Sequence, residues 1–428
     1  MKNDSPEIDP GEAGTISGAA REGFSPCPVL LNRKQVGELQ RLGIQLLAFL
    51  RSCNDLYAMS CDGRQPGWVA RVIDQGRRGD WTEFGRDRRL RTHLPALLEP
   101  ELSVCKEGWI LSQIRFNPID VLYREPSGDS SSWESPLTPG YGNQIRDQIA
   151  PLLEHGAVYS VASGAKESSA LKQLANELGP SLIRLEDPEK LAGLMKNSRV
   201  FYFGGFEEIV RGNFQPSHLQ PFLPVAASNG WAIKPQAEEH LWLALLRIKT
   251  LWRFWRRSLS DRHLKALLKI IAPSWILDPT AVPPQAEILD LGARAFHEIP
   301  SALDKKQNFS IRPSRESGPD GEPKIFHSLT SSTTEFCGEL LNALEFFEST
   351  PRILMKAPDY EQIRHPFRCG TTGEIKIFET RMQLRPLDRI QNGSSILAGV
   401  RAAIESASSR GVFELDQTLW TTVIGAEN

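Results

Sequence analysis

A chain of 428 residues is longer than one hydrophobic core usually grows, so two or three lobes are expected rather than one. Fifty Lys and Arg against 52 Asp and Glu leave no global field to recruit nucleic acid, which is excluded as a partner. No apolar run approaches the ~18 residues of a membrane span, and Cys27, Cys53, Cys61, Cys105, Cys337 and Cys369 lack the C-x-x-C spacing of zinc ligands, so they read as individual reduced thiols of a cytoplasmic protein.

Residues 1–24 are polar, acidic and rich in small residues, with no apolar segment of signal-peptide type, and read as a disordered leader. From Val36 to Leu56, the spacing of Leu39, Leu42, Leu46, Phe49 and Leu50 predicts a helix with one apolar face. The stretch GRRGDWTEFGRDRRLRTHLP then reads as an irregular basic connector, and its arginines from Arg86 to Arg91 suit either phosphate or plain solvation. LLEPELSVCKEGWILSQIRFNP has two apolar runs around a polar Gly turn and stops at Asn-Pro, the pattern of a β-hairpin.

Residues 125–143 are rich in Ser, Pro and Gly and read as a long loop, expected to be mobile and to border the entrance for an acceptor substrate. Beyond it, AVYSV, SLIRLE and RVFYFGG alternate with helical stretches, the signature of a small parallel α/β unit. From Ala237 to Leu259, Leu241, Leu245, Ile248, Leu251, Trp252, Trp255 and Leu259 share one helical face and Arg247, Lys249, Arg253, Arg256 and Arg257 largely the other. Such a helix suits a membrane surface or a partner's groove, but a second amphipathic segment, LSDRHLKALLKIIAPSWIL, follows, so an intramolecular helix pair is expected and a membrane role is not. The last third reads strand, loop, helix, strand, hairpin. NFSIRPSRESGPDGEPKIF, residues 308–326, sets Arg312, Ser314 and Arg315 beside Gly318 and Gly321, a composition that suits an anion as well as a solvated surface loop.

In this order and spacing, over about residues 24–422, the segments resemble the circularly permuted ATP-grasp proteins, a group that includes glutathionylspermidine-synthase-like ligases and uncharacterised bacterial homologues. The likeness rests on DLYAMS and QPGWVARVIDQG, on LLEPEL and GWILSQIRFNP, on KPQAEEHLWLALLRIKTLWRFWRRSL and LKIIAPSWIL, and on FSIRPSRESG, TPRILMKAP and GEIKIFETRMQLRP. It implies an α+β, multi-lobed ATP-grasp-like fold, circularly permuted, with an inserted small parallel α/β lobe and a helical segment. The expected divisions are 25–150 (N-terminal helix plus hairpin), 151–236 (α/β lobe), 237–300 (helical segment) and 301–428 (nucleotide lobe). The hairpin around residues 98–118 should join that last lobe although it is remote in sequence.

The resemblance also implies ATP and Mg²⁺ as cofactors and assigns residues to them. Arg312 stands where the family carries a phosphate-binding Lys, and Ser314, Arg315 and Gly318 belong to the loop folding over the phosphates. Met355 and Lys356 fall beside the adenine, and Arg381 faces the phosphates, so Arg312 and Arg381 are the catalytic candidates. Metal ligands fall on Glu101, Gln113 and Glu379. The chain departs from the family at Glu99, in the place of a phosphate-facing Arg, and at Arg115, in the place of a metal ligand; the two exchanged charges are expected to pair across the hairpin. An Arg for a Lys keeps charge and changes geometry. Two functions follow: an ATP-dependent ligase joining a small-molecule or peptide carboxylate to an amine through an acyl phosphate, or a degenerate homologue serving as a scaffold or regulatory subunit, with a paralogous protein as partner.

Overall fold

The computed structural model describes residues 29–118, 158–161, 182–185, 199–201, 210, 214–228, 232, 234–237, 239–280, 288, 290–291, 293–299, 308–315, 325–328, 331–368, 375–406 and 419–426. The leader at 1–24, the loop at 125–143 and Gly318 lie outside the described residues.

Strand β1 (Val29–Asn32) runs into helix α1 (Arg33–Cys61), which starts earlier than the apolar spacing predicts. Asn32 accepts from Gln35 N while the Gln35 side chain accepts from Asn32 N, a capping box that satisfies the first-turn donors. Helices α2 (Gly67–Asp74) and α3 (Gly79–Gly85) follow. The expected irregular connector is therefore partly helical, anchored by buried Trp81 and Phe84 stacked edge to face at 5.6 Å. Three of its arginines are ion-paired within the helical region, Arg86 to Asp74 at 2.5 Å, Arg89 to Asp87 at 2.6 Å and Arg91 to Asp62 at 2.8 Å.

The hairpin forms as β2 (Leu97–Cys105) and β3 (Gly108–Phe116). Strands β4 (Val158–Val161), β5 (Leu182–Leu185) and β6 (Arg199–Phe201) make a parallel sheet in the order β5-β4-β6. Short helices α4 (Pro216–Leu219), α5 (Leu223–Ser228) and α6 (Leu241–Leu245) precede α7 (Trp252–Ile270). The single helix expected over Ala237–Leu259 is thus broken, and helical φ/ψ fails again at Ser260, where φ is +65° and ψ 156°. Its apolar face is covered intramolecularly, with Trp255 5.8 Å from Phe49 of α1. Among the described residues no helix is long and apolar enough to cross a membrane.

After β7 (Ser274–Ile276), β8 (Phe309–Pro313) and β9 (Phe326–His327) come α8 (Thr333–Glu345), β10 (Arg352–Lys356), β11 (Ile363–Arg368), β12 (Ile375–Gln391), β13 (Ser394–Ser406) and β14 (Leu419–Ala426). A four-stranded antiparallel sheet is ordered β7-β10-β8-β9. A larger sheet is ordered β1-β14-β13-β12-β2-β3, with β11 also paired to β12. The hairpin at 97–116 thus lies in the same sheet as the C-terminal strands, bonded through Gln383 opposite Ser103 and Leu384 opposite Leu102. Successive side chains of β12 alternate between faces. Met382 and Leu384, with Val400, Ala402 and Ile404 of β13, join the core against α1 and α7, while Arg381, Gln383 and Arg385 point to the opposite face. Fully burying one large apolar side chain such as Phe49 stabilises by about 1.5–3 kcal/mol. A second core sets Phe309, Ile311 and Leu354 of the smaller sheet against Phe336, Leu340 and Ala343 of α8.

Candidate functional site

The polar face of the larger sheet gathers charge from four of its strands. Glu99 of β2 lies opposite Arg115 of β3, and Arg385 of β12 lies opposite Arg401 of β13. Like charges placed opposite each other on neighbouring strands are destabilising, and two carboxylates relieve them. Glu99, fully buried, accepts from Arg115 Nη1 at 2.9 Å on one oxygen and from Arg401 Nε at 2.8 Å on the other. Glu101 pairs with Arg385 Nη2 at 2.7 Å, while Gln383 Nε2 approaches its second oxygen at 3.5 Å. The exchanged charges read from the sequence do pair, and Arg401 completes a triad around Glu99.

Arg312, at the end of β8, reaches from the smaller sheet to this region and donates through Nη1 to the Ser112 carbonyl of β3 at 3.2 Å. Arg381 lies over the Tyr360 ring at 5.2 Å. Both guanidinium groups act on His327 of β9, whose pKa is brought down to about 3, first by burial and then by these two cations. Arg312 has the same effect on His240, held near 4 chiefly by burial. Burial raises the Tyr360 pKa, and Arg381 and Arg312 oppose that rise. Arg312 and Arg381 thus both act on His327 and Tyr360, and the His327 and His240 imidazoles stay neutral at neutral pH.

The remaining candidates are placed differently. Arg315 Nε donates to Glu239 at 2.6 Å and its Nη2 to the Gln75 carbonyl at 2.5 Å, and Arg77 also donates to Glu239. Arg315 thus ties the exit of β8 to the N-terminal helices. Ser314 is buried; its N–H donates to Pro351 O and its carbonyl accepts from His240 N. Met355, 2% exposed, packs in the core beneath the larger sheet, and Lys356 is exposed at the end of β10. Gln113 lies opposite Glu101, whereas Glu379 is exposed and opposite Arg364. Glu379 is separated from Arg385, the partner of Glu101, by six positions of one strand, roughly 20 Å at the usual rise.

These donors do not fit a magnesium ion, which demands several hard oxygens in octahedral array. The oxygens of Glu101 face Arg385 and Gln383, Arg115 stands two residues from Gln113, and Glu379 is not brought to them. Among the described residues no group of three or more His, Cys, Asp or Glu is arranged to hold a metal. Sequence reasoning missed Arg401, His327 and Tyr360. For Arg401 the Asn392-Gly393 turn that closes β12 on β13 is legible, but the register counted back from it does not bring Arg401 opposite Arg385.

No protein-family model and no curated protein matches the chain. Among solved structures it is similar to a glutathione synthetase-like effector from Globodera pallida in its apo form, with a TM-score of 0.48 and 9% identity over 98% of each chain. It is also similar to a proposed gamma-glutamylcysteine synthetase from Methylobacillus flagellatus, with a TM-score of 0.36 and 8% identity over 83% of this chain and 87% of the other. Neither score assigns a family or an activity.

Proposed function

We propose that the chain is a degenerate ATP-grasp-like protein, circularly permuted, that binds a nucleotide such as ATP beside Arg312 and Arg381 without a divalent ion, and that acts as a scaffold or regulatory subunit, with a paralogous ligase as its partner. The observation that carries this reading is that Glu101, a candidate metal ligand, is paired with Arg385, while Arg115, standing where a metal ligand belongs, is paired with Glu99, which Arg401 also holds. Arg312 and Arg381 supply the charge for phosphate oxygens, and Arg binds such oxygens in bidentate fashion. His327 and Tyr360 border them and bring no negative charge at neutral pH.

Thermal unfolding with ATP tests this, since a ligand that binds only the folded state stabilises it by mass action. ATP should raise the melting temperature equally in EDTA and in excess Mg²⁺, and Arg381→Met should weaken that effect about tenfold in apparent affinity, as loss of one charge-assisted contact predicts. Stabilisation that requires Mg²⁺, with ADP released in the presence of a carboxylate and an amine, would establish the second reading, an amide-forming ligase. That reading is favoured by the retention of cationic side chains at both phosphate positions, Arg312 and Arg381. No effect of ATP under either condition would remove nucleotide binding altogether.

A further inference from the structure

Away from the sheet, the N-terminal helices enclose a cleft of about 480 Å³ bordered by Arg71, Asp74, Gln75 and Glu348. A smaller pocket of about 30 Å³ adjoins it, and Cys61 and Arg86 line both. Asn54, Tyr57 and Cys61, one face of α1, form a wall of the inner pocket, and Lys234 and Arg91 line it too. The inner space accommodates about one or two waters, or a group of similar size.

The charges here are unevenly matched. Arg86 is paired with Asp74 at 2.5 Å and Arg91 with both oxygens of Asp62 at 3.1 and 2.8 Å. Lys234 is 6% exposed, yet among the described residues its ammonium contacts neutral oxygens, Asn54 Oδ1 at 2.5 Å and Arg91 O at 3.4 Å. No carboxylate lies within ion-pair distance of it among the described residues; Asp55 and Cys53 act on it only at longer range. A buried cation held by neutral oxygens is poorly compensated for its lost hydration and gains from an anion that enters with it.

We infer that this two-chambered cleft binds a small carboxylate, its head against Lys234 in the inner pocket and its body in the outer cleft. A carboxylate matches the inner volume and the single ammonium, whereas a phosphate dianion would call for more donors than the pocket offers. Burial holds the Lys234 pKa near 7, so an arriving carboxylate would also restore the proton that desolvation removes. The site shares no residue with Arg312, Arg381 or the Glu99 triad, and it stands or falls independently of the nucleotide reading.

Cys61 serves as the reporter, being exposed, free and on the wall common to both chambers. The probes are iodoacetate, itself a small carboxylate, and neutral iodoacetamide. Each is attacked by the thiolate, which forms the S–C bond as iodide leaves, so the ratio of their rates cancels the thiol's own pKa. In the full chain, mapped by mass spectrometry, the iodoacetate-to-iodoacetamide rate ratio at Cys61 should exceed that at Cys337 about tenfold, the effect of one buried charge-assisted contact. Acetate should slow the iodoacetate reaction at Cys61 saturably, and phosphate at equal ionic strength should not. In Lys234→Met the excess should vanish; should that variant fail to fold, the acetate competition in the unmodified chain decides by itself. Equal ratios at the two cysteines, or equal protection by phosphate and acetate, would overturn the assignment.

Discussion

Asp388 of β12 is a carboxylic acid buried beneath α1, where Ser395 Oγ donates to Oδ1 at 2.9 Å and Oδ2 has no hydrogen-bond partner among the described residues. The helix approaches so closely that a Cβ on Gly43 would lie 2.1 Å from that Oδ1, which accounts for a glycine inside α1 despite its helix-weakening effect. Burial raises the Asp388 pKa from 3.8 to about 7, and the Ser395 hydroxyl only softens the rise. The sign follows from the raised value: below 3.8 both folded and unfolded forms hold the proton, and as pH climbs to 7 only the unfolded form loses it, so stability falls across that window. His240 and His327 are shifted downward and act oppositely, losing stability as pH falls below 6.5, so the parent-to-variant difference isolates the carboxyl. Asp388→Asn should be more stable than the parent at pH 7 by roughly 2–4 kcal/mol. Near pH 4 the gain should disappear in urea unfolding; a gain constant with pH would sink the account.

At the scale of elements, α7 carries its own discontinuity. Ser260 is exposed and adopts φ +65° and ψ 156°, a region that side chains with a Cβ rarely occupy, between two helical stretches. Its Oγ accepts a long bond from His263 N at 3.5 Å, a cap too weak to offset the strain. Ser260→Gly should therefore stabilise by about 1 kcal/mol, seen as a higher urea midpoint at unchanged slope. A lower midpoint would mean that the hydroxyl cap outweighs the backbone. The apolar spacing pointed to the face that is buried, but the helix it placed over 237–259 is interrupted at Ile248, which is extended, and again at Ser260; helical periodicity continues through such single residues, so the spacing does not show the breaks. The β12–β13 hairpin shows the same limit. Counting back from its Asn-Gly turn would set Leu384 opposite Arg401, but the register shifts between Leu387 and Asp388 and places Arg385 there instead. A one-residue slip moves every side chain to the other face, so the site depends on a bulge that residue patterns do not announce.

For the whole molecule, the exchange of charge at positions 99 and 115 has a wider basis than the hairpin. Arg401 stays on Glu99 when Arg115 is removed, so Arg115→Asp does not strand the buried carboxylate. Gln113→Glu, Arg115→Asp and Arg312→Lys, combined, should therefore yield a folded protein in which ATP stabilisation becomes Mg²⁺-dependent, while Gln113→Glu or Arg312→Lys alone should do less because Arg115 remains to repel the ion. A triple variant still indifferent to Mg²⁺ would show that Arg385 on Glu101, or the distance of Glu379, is the barrier.

The sequence by itself determined the α1 core face, the hairpin at 97–116, the small parallel unit, the strand bearing Arg312, and the unlike charges of Glu99 and Arg115 that meet across the hairpin. Each rests on local periodicity, turn chemistry or adjacent registers, which a few neighbouring residues specify. Only the tertiary structure decided that Arg401 joins Glu99, that Arg385 takes Glu101, that Arg315 holds Glu239 rather than standing open, and that Lys234 lies buried without an acidic partner among the described residues. Those contacts join residues more than 75 positions apart. Their geometry depends on sheet order, a bulge and the depth of burial, and no stretch of sequence carries that information alone.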